Sequence, residues 1–61
     1  MAAKFEIYKD KAAEFRWRLI HSNGQVIANS GEGYTTKANA MSGIKSVKDN
    51  APTANVEDKT V

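Results

Sequence analysis

Residues 15–30, FRWRLIHSNGQVIANS, decide the fold predicted for this chain. The first six alternate strictly, with Phe15, Trp17 and Leu19 on one face and Arg16, Arg18 and Ile20 on the other. A period of two is typical of a half-buried β-strand. Asn23-Gly24 is then the strongest short-range hairpin signal, because both residue types tolerate positive φ. The stretch therefore predicts two antiparallel strands joined by a tight turn.

The register of this hairpin follows by counting outward from Asn23-Gly24 as a two-residue loop. The count gives five pairs: Ser22 with Gln25, His21 with Val26, Ile20 with Ile27, Leu19 with Ala28, and Arg18 with Asn29. It places Ile20 and Ile27 opposite each other, on the face away from Trp17. A slip of one residue would exchange the two faces, so the prediction depends on the length of the loop.

The upstream segment AKFEIYKD, residues 3–10, shows the same alternation, with Phe5 and Ile7 on one face. A polar stretch, KDKAAE, then separates it from the hairpin and predicts a turn. Together the patterns predict an antiparallel meander of three strands, at about residues 3–9, 14–22 and 25–30.

The period changes after Tyr34. In TTKANAMSGIKSVKDNAP the apolar residues recur every three or four positions, namely Ala40, Met41, Ile44, Val47 and Ala51. This spacing predicts an amphipathic helix over about residues 36–50, capped by Thr35 or Thr36 and ended by Asn50 and Pro52. Gly43 lies inside it and is expected to allow a close approach to the sheet.

The last segment, residues 53–59, alternates weakly around Val56 and predicts a final strand. The whole chain, residues 1–61, is then a single α+β domain with an antiparallel sheet and one helix packed on one face. Its candidate core consists of Phe5, Ile7, Phe15, Trp17, Leu19, Val26, Ala28, Met41, Ile44, Val47 and Val56.

Composition narrows the classes of protein that this chain can be. It has 61 residues, no cysteine and a formal net charge of +2, from nine basic and seven acidic residues. A disulfide staple and a cysteine-rich metal site are therefore excluded. A chain this short buries only about 60% of its unfolded surface, so self-association is the remedy left open. No segment is apolar enough to predict a membrane span or a signal peptide, and the expected location is the cytoplasm.

Gly31 and Gly33 lie just before the predicted helix and suggest a phosphate-binding turn. Their spacing, SGEGYTTK, fits neither the P-loop nor the dinucleotide pattern, and Glu32 adds a negative charge between them. A sharp turn followed by a helix cap is the favoured interpretation. The alternative is a weak anion site formed by Gly31, Gly33, Thr35, Thr36 and Lys37.

Catalytic chemistry finds little support in the sequence. His21 is the only histidine, and no cysteine or serine is spaced to form a nucleophilic triad with it. Glu57 and Asp58 are adjacent, so in a strand they would point to opposite faces. We therefore expect no enzyme, no catalytic residue, no cofactor and no metal.

The sheet face without a helix is the other candidate site. It is predicted to carry Tyr8, Arg16, Arg18, Ile20 and Ile27, with Glu6 opposite Arg16. One interpretation is a solvated face with a cross-strand ion pair. The other is a protein contact surface anchored by Tyr8 and the arginines.

A further alternative is weak nucleic-acid binding through Arg16, Arg18, Lys37, Lys45 and Lys48. Base stacking would need an aromatic side chain on the same face as the arginines, but Trp17 lies on the opposite face. Nucleic-acid binding is therefore the less favoured interpretation.

At the level of whole motifs the chain resembles the YegP-like family of small bacterial proteins of unknown function. The matching stretches are FEIYKD, FRWRL, NGQVIA, SGEGYTTK and GIKSVKDNAP, and together they form one extended match without insertions or deletions. Ala13 stands where the family pattern implies a glycine, and Lys45 stands where it is often acidic.

The resemblance implies a β(3)-α-β unit that forms a homodimer and completes the partner's sheet with an exchanged strand, here residues 53–59. It implies no activity, cofactor or ligand. The hypothesis from the sequence is therefore a non-enzymatic interaction or accessory module that binds a second copy of itself, with the identity of any other partner left open.

Overall fold

The structure is a computed structural model that describes residues 3–60. Its elements are β1 (Lys4–Lys9), β2 (Phe15–Ile20), β3 (Val26–Asn29), α1 (Lys37–Asn50) and a short 3-10 helix (Ala51–Thr53). The three strands form one antiparallel sheet in the order β1-β2-β3. The predicted α+β arrangement of a meander followed by a helix is confirmed.

The β1–β2 hairpin is regular, with pairs running from Lys4 opposite Ile20 to Lys9 opposite Phe15. Asp10 closes its turn: its Oδ1 accepts hydrogen bonds from the amides of Ala12 (2.9 Å) and Glu14 (3.0 Å). Ala13 adopts φ = 64°, the left-handed conformation that costs an L-residue about 1–2 kcal/mol. The turn therefore favours a glycine at a position where this chain has alanine.

The β2–β3 hairpin differs from its predicted register. Leu19 pairs with Ala28 and Arg18 with Asn29 as predicted, but Ile20 pairs with Val26. The His21 amide donates to the Gln25 carbonyl (2.8 Å), so the loop has three residues, 22–24, and Ile27 is an extra residue in a bulge.

Local hydrogen bonds explain the longer loop. Gly24 alone takes a positive φ, 93°, whereas the predicted turn requires it of Asn23 as well. The Oδ1 atom of Asn23 instead accepts from the Gln25 amide (2.9 Å), and Nδ1 of His21 accepts from the Asn23 amide (3.1 Å). The prediction that Ile20 faces Ile27 is therefore wrong. The His21 ring is a hydrogen-bond acceptor within the loop.

The core lies between β2 and α1. Trp17, Ala40 and Ile44 are buried, and Phe5, Ile7, Phe15, Tyr34 and Val47 pack around them half-buried. Phe5 meets Trp17 edge to face, with ring centroids 5.6 Å apart. A Cβ atom on Gly43 would lie 2.6 Å from Tyr34 Oη and 3.1 Å from Trp17 Nε1. The expectation that Gly43 permits close packing is confirmed.

Several residues predicted in the core are exposed. Val26 and Ala28 lie on the surface because α1 packs against β2 and leaves all of β3 uncovered. Met41 lies on a side of α1 that is exposed. Thr36, not Thr35, caps the helix, its Oγ1 accepting from the Asn39 amide (3.1 Å). The hairpins and the helix thus place one sheet face toward α1 and leave the other free of it.

The strand predicted for residues 53–59 is not formed within this chain. Thr53 ends the 3-10 helix, and residues 54–60 have no regular secondary structure. Val56 is 95% exposed, which contradicts its place in the chain's own core. The expected strand was to pair with a second chain, and that pairing stays a prediction.

Candidate functional site

The helix-free face is the side of β1 and β2 that points away from Trp17 and Ile44. Alternation along the strands brings three cross-strand pairs onto it: Lys4 with Ile20, Glu6 with Arg18, and Tyr8 with Arg16. Tyr8, Arg16, Arg18 and Ile20 therefore lie on this face, together with Lys4, which was not among the predicted residues. That the face is an interaction surface stays a prediction.

A chain of charges connects the middle of this face. The Nε atom of Arg18 donates to Glu6 Oε1 (3.2 Å), and Lys4 Nζ lies 3.3 Å from Glu6 Oε2. The Arg18 guanidinium also lies over the Tyr8 ring, 4.4 Å from its centroid. Hydrogen bonding from Lys4, and then from Arg18, holds the pKa of Glu6 below its ordinary value. A planar guanidinium on an aromatic ring is a preformed, partly exposed contact element.

The predicted pair between Glu6 and Arg16 is wrong. The turn at residues 10–14 sets a register in which Glu6 faces Arg18. Arg16 instead donates from Nε to Asp10 Oδ2 (2.5 Å), which raises the pKa of Arg16 and lowers that of Asp10. Because Asp10 holds the turn, Arg16 supports the hairpin and is a poor choice for a probe of binding alone.

The apolar part of the predicted surface is only partly assembled. Ile20 is half-buried and lines a groove together with Lys4, Glu6 and His21. Ile27 is 55% exposed, but the bulge removes it from its predicted position opposite Ile20. The assembled centre of the surface is therefore Tyr8, Arg18 and Glu6.

The glycine turn has its own internal partners. The Gly31 amide donates to Asn29 Oδ1 (3.0 Å), with φ = 72°, and the Tyr34 amide donates to the Phe15 carbonyl (2.7 Å). A Cβ atom at Gly33 would overlap Oε1 of Glu14 and lie 2.8 Å from its Cβ. A carboxylate therefore already lies against the turn, which favours a tight connection.

Anion binding by Gly31, Gly33, Thr35, Thr36 and Lys37 stays a prediction. Phosphate titration followed by the amide signals of residues 33–37 would test it.

The cations proposed for nucleic-acid binding do not share one surface. Arg16 and Arg18 lie on β2, whereas Lys37, Lys45 and Lys48 lie on α1. Arg16 and Arg18 have carboxylate partners, and Lys45 Nζ lies 2.7 Å from Asp49 Oδ2. This arrangement provides no continuous basic track for a phosphate backbone, and nothing in the comparisons below indicates nucleic-acid binding.

Among residues 3–60 no group of three His, Cys, Asp or Glu side chains is placed to hold a metal ion. No helix in that part of the chain is both long and apolar enough to cross a membrane.

Comparisons with known proteins agree on the kind of protein. Residues 10–58 match the model of the domain of unknown function DUF1508. A UPF0339 protein from Treponema denticola is 61% identical over 56 residues, which cover 92% of this chain and 95% of that protein. In contrast, a UPF0339 protein from the ptx operon 5′ region of Stutzerimonas stutzeri is 56% identical over 85% of this chain but only 46% of its own length.

A solved structure shows the same fold. The NMR solution structure of a protein from Haloferax volcanii superimposes with a TM-score of 0.88 at 53% sequence identity. The match covers 93% of this chain and 95% of that one.

Proposed function

This chain belongs to the DUF1508 (UPF0339) family of unknown function, the family that the YegP-like resemblance predicted, and from that premise we propose that it is a non-enzymatic interaction or accessory module that works as a homodimer. Neither the description of the family nor that of the Treponema denticola relative names an enzymatic activity. The proposed location is the cytoplasm, without association with membranes.

One observation supports the homodimer most directly. Residues 54–60 have no regular secondary structure within the single chain, and Val56 is 95% exposed. Fully burying a valine contributes about 1.5 kcal/mol or more, so burial of Val56 against a second chain would favour pairing. The small core supports this, since only Trp17, Ala40 and Ile44 are buried among the described residues. The Stutzerimonas stutzeri relative also has room for a second unit, because the match fills less than half of it.

Molar mass in solution tests the dimer. We expect the full chain to have twice the mass of one chain in light scattering, and a chain ending at Ala51 to be monomeric or unfolded. A control with Lys59→Gln, which keeps the segment's length and its carboxylates, should remain dimeric. A monomeric full chain at high concentration would refute the homodimer.

The helix-free face supports the second part of the proposal, a contact surface for another protein. Tyr8 and Arg18 form its stacked centre, and neither holds the turn at Asp10. We expect Tyr8→Ala and Arg18→Ala to leave the molar mass and thermal unfolding nearly unchanged and to weaken capture of a partner. Lys48→Ala, on the exposed side of α1, is the matched control. Equal recovery of the same proteins by all variants would exclude this surface.

A further inference from the structure

We propose that the helix-free face binds an extended acidic segment of another protein, which carries carboxylates on two alternate residues and an apolar residue two positions further along. Arg16 and Arg18 bind the carboxylates, and Ile20 contacts the apolar residue. The inference rests on the proposed contact surface and adds the chemistry of its partner.

The carboxylates on this face already have partners within the chain. Glu6 Oε1 accepts from Arg18, and Glu6 Oε2 lies 3.3 Å from Lys4 Nζ. Asp10, just after β1, accepts from Arg16 through Oδ2 and from two turn amides through Oδ1. A partner that brings hydrogen-bond donors to this face would therefore have to compete with existing bonds.

The arginines, in contrast, are only partly used. Each donates to its carboxylate through Nε, and within residues 3–60 the terminal Nη atoms of Arg16 and Arg18 donate to no protein acceptor. The Arg18 side chain is 41% exposed and that of Arg16 is 34% exposed, so a ligand can reach both. The two terminal nitrogens of a guanidinium form a planar fork that matches the two oxygens of a carboxylate. This face therefore needs acceptors, which an acidic partner supplies.

Both guanidinium groups are held in place before a partner binds. Arg18 is fixed by its bond to Glu6 and by the Tyr8 ring, whose centroid lies 4.4 Å from Arg18 Cζ. Arg16 is fixed by Asp10. Side chains that are already ordered lose less conformational entropy on binding.

The spacing along β2 defines the order of the partner's residues. Arg16, Arg18 and the half-buried Ile20 are alternate residues of one strand, so their Cα atoms follow one another at about 6.6 Å. Alternate side chains of an extended partner have the same spacing and point to the same side. Two carboxylates and an apolar residue at alternate positions therefore match this row.

A phosphate backbone fits the face less well. Glu6 and Asp10 lie beside the arginines and would repel a continuous row of phosphates. Two separate carboxylates can lie over the arginines alone, and arginine clusters are a common means of recognising acidic motifs.

A blocked synthetic peptide tests the inference. The probe has glutamate, glutamate and isoleucine at alternate positions with threonine between them, and its control has glutamine in place of both glutamates. The probe is titrated to millimolar concentration into the ¹⁵N-labelled full chain. We expect it to shift the amide signals of Tyr8 and residues 16–20, and the glutamine peptide to leave them nearly unchanged. Equal shifts with the two peptides, or no shift with the probe, would overturn the inference.

Substitution of Arg18 separates the guanidinium fork from simple charge. Arg18→Lys keeps a cation beside Glu6 but removes the fork, so it should fold and bind the glutamate peptide about tenfold more weakly, or worse. Lys48→Arg, an equally conservative exchange on the exposed side of α1, is the control and should bind like the wild type. Wild-type affinity in Arg18→Lys would overturn the inference.

The outcomes also separate this inference from the proposed function. Capture of a partner that depends on Tyr8 and Arg18, without peptide binding, would overturn the acidic segment and leave the contact surface intact. A thymidine oligonucleotide that shifts the same signals at lower concentrations than the peptide would overturn it in favour of nucleic acid. Peptide binding by a chain that is monomeric in light scattering would support this inference and refute the homodimer.

Discussion

The two hairpins share β2 but are stabilised differently. The β1–β2 hairpin has six consecutive pairs, a turn held by Asp10, and one face packed under α1. The β2–β3 hairpin has a bulge, and all four residues of β3 are exposed. The difference indicates that most stabilising contacts lie in the β1–β2 half of the sheet. β3 is held mainly by its pairing with β2.

Removing core volume should show this asymmetry most strongly. Ile44→Ala is expected to lower the free energy of unfolding by about 2–5 kcal/mol, because Ile44 is buried against the first hairpin. Val26→Ala, in exposed β3, should change it by less than about 0.5 kcal/mol. Urea unfolding monitored by the single tryptophan, Trp17, measures both. Comparable losses would mean that β3 is buried in solution.

The contact between α1 and the first hairpin can be tested at Gly43. Alanine raises helix propensity by about 1 kcal/mol, but its methyl group would press on Tyr34 Oη and Trp17 Nε1. Overpacking of about 1–3 kcal/mol should exceed that gain, so Gly43→Ala is expected to destabilise the fold. Ser42→Ala, one residue earlier and exposed, should be neutral or slightly stabilising. A higher melting temperature for Gly43→Ala would contradict the close packing.

The turn of the first hairpin should be open to improvement. Ala13→Gly is expected to raise the free energy of unfolding by about 1 kcal/mol, because glycine removes the left-handed strain and costs some unfolded-state entropy. Ala12→Gly is the control and should be neutral or destabilising, since Ala12 has no positive φ. Thermal unfolding measures both, and a loss at Ala13→Gly would argue against a left-handed residue there.

The smallest effect concerns pH. Hydrogen bonds from Arg16, and then from the Glu14 amide, keep the pKa of Asp10 below its ordinary 3.8 in the folded state. Its carboxylate therefore stabilises the fold fully above the unfolded pKa, and this contribution is lost as pH falls through the folded pKa. Asp10→Asn keeps an oxygen acceptor at the turn, so it should mainly reduce the loss of stability below about pH 4. An unchanged acid transition in this variant would contradict the assignment.

Arg16 and Glu6 show why the site was only partly predictable. Alternation placed Tyr8, Arg16 and Arg18 on one face, which is a local property of extended strands. The partners of those side chains depend on the register of β1 against β2, and that register is set by the turn at residues 10–14. One turn geometry therefore decides that Glu6 binds Arg18 and that Arg16 binds Asp10.

The sequence by itself determined the alternation along the strands, a helix over about residues 36–50 and its threonine cap. These features follow from contacts between residues near in sequence, or from a spacing that repeats along one face. Only the tertiary structure decided the three-residue loop before β3, the exposure of Val26 and Met41, and the strain at Ala13. The exposure of Val26 and Met41 depends on how distant segments pack, because the position of α1 over β2 determines which apolar residues are buried. The loop and the strain at Ala13 instead follow from hydrogen bonds and backbone angles inside the two turns, which the alternation along a strand does not specify.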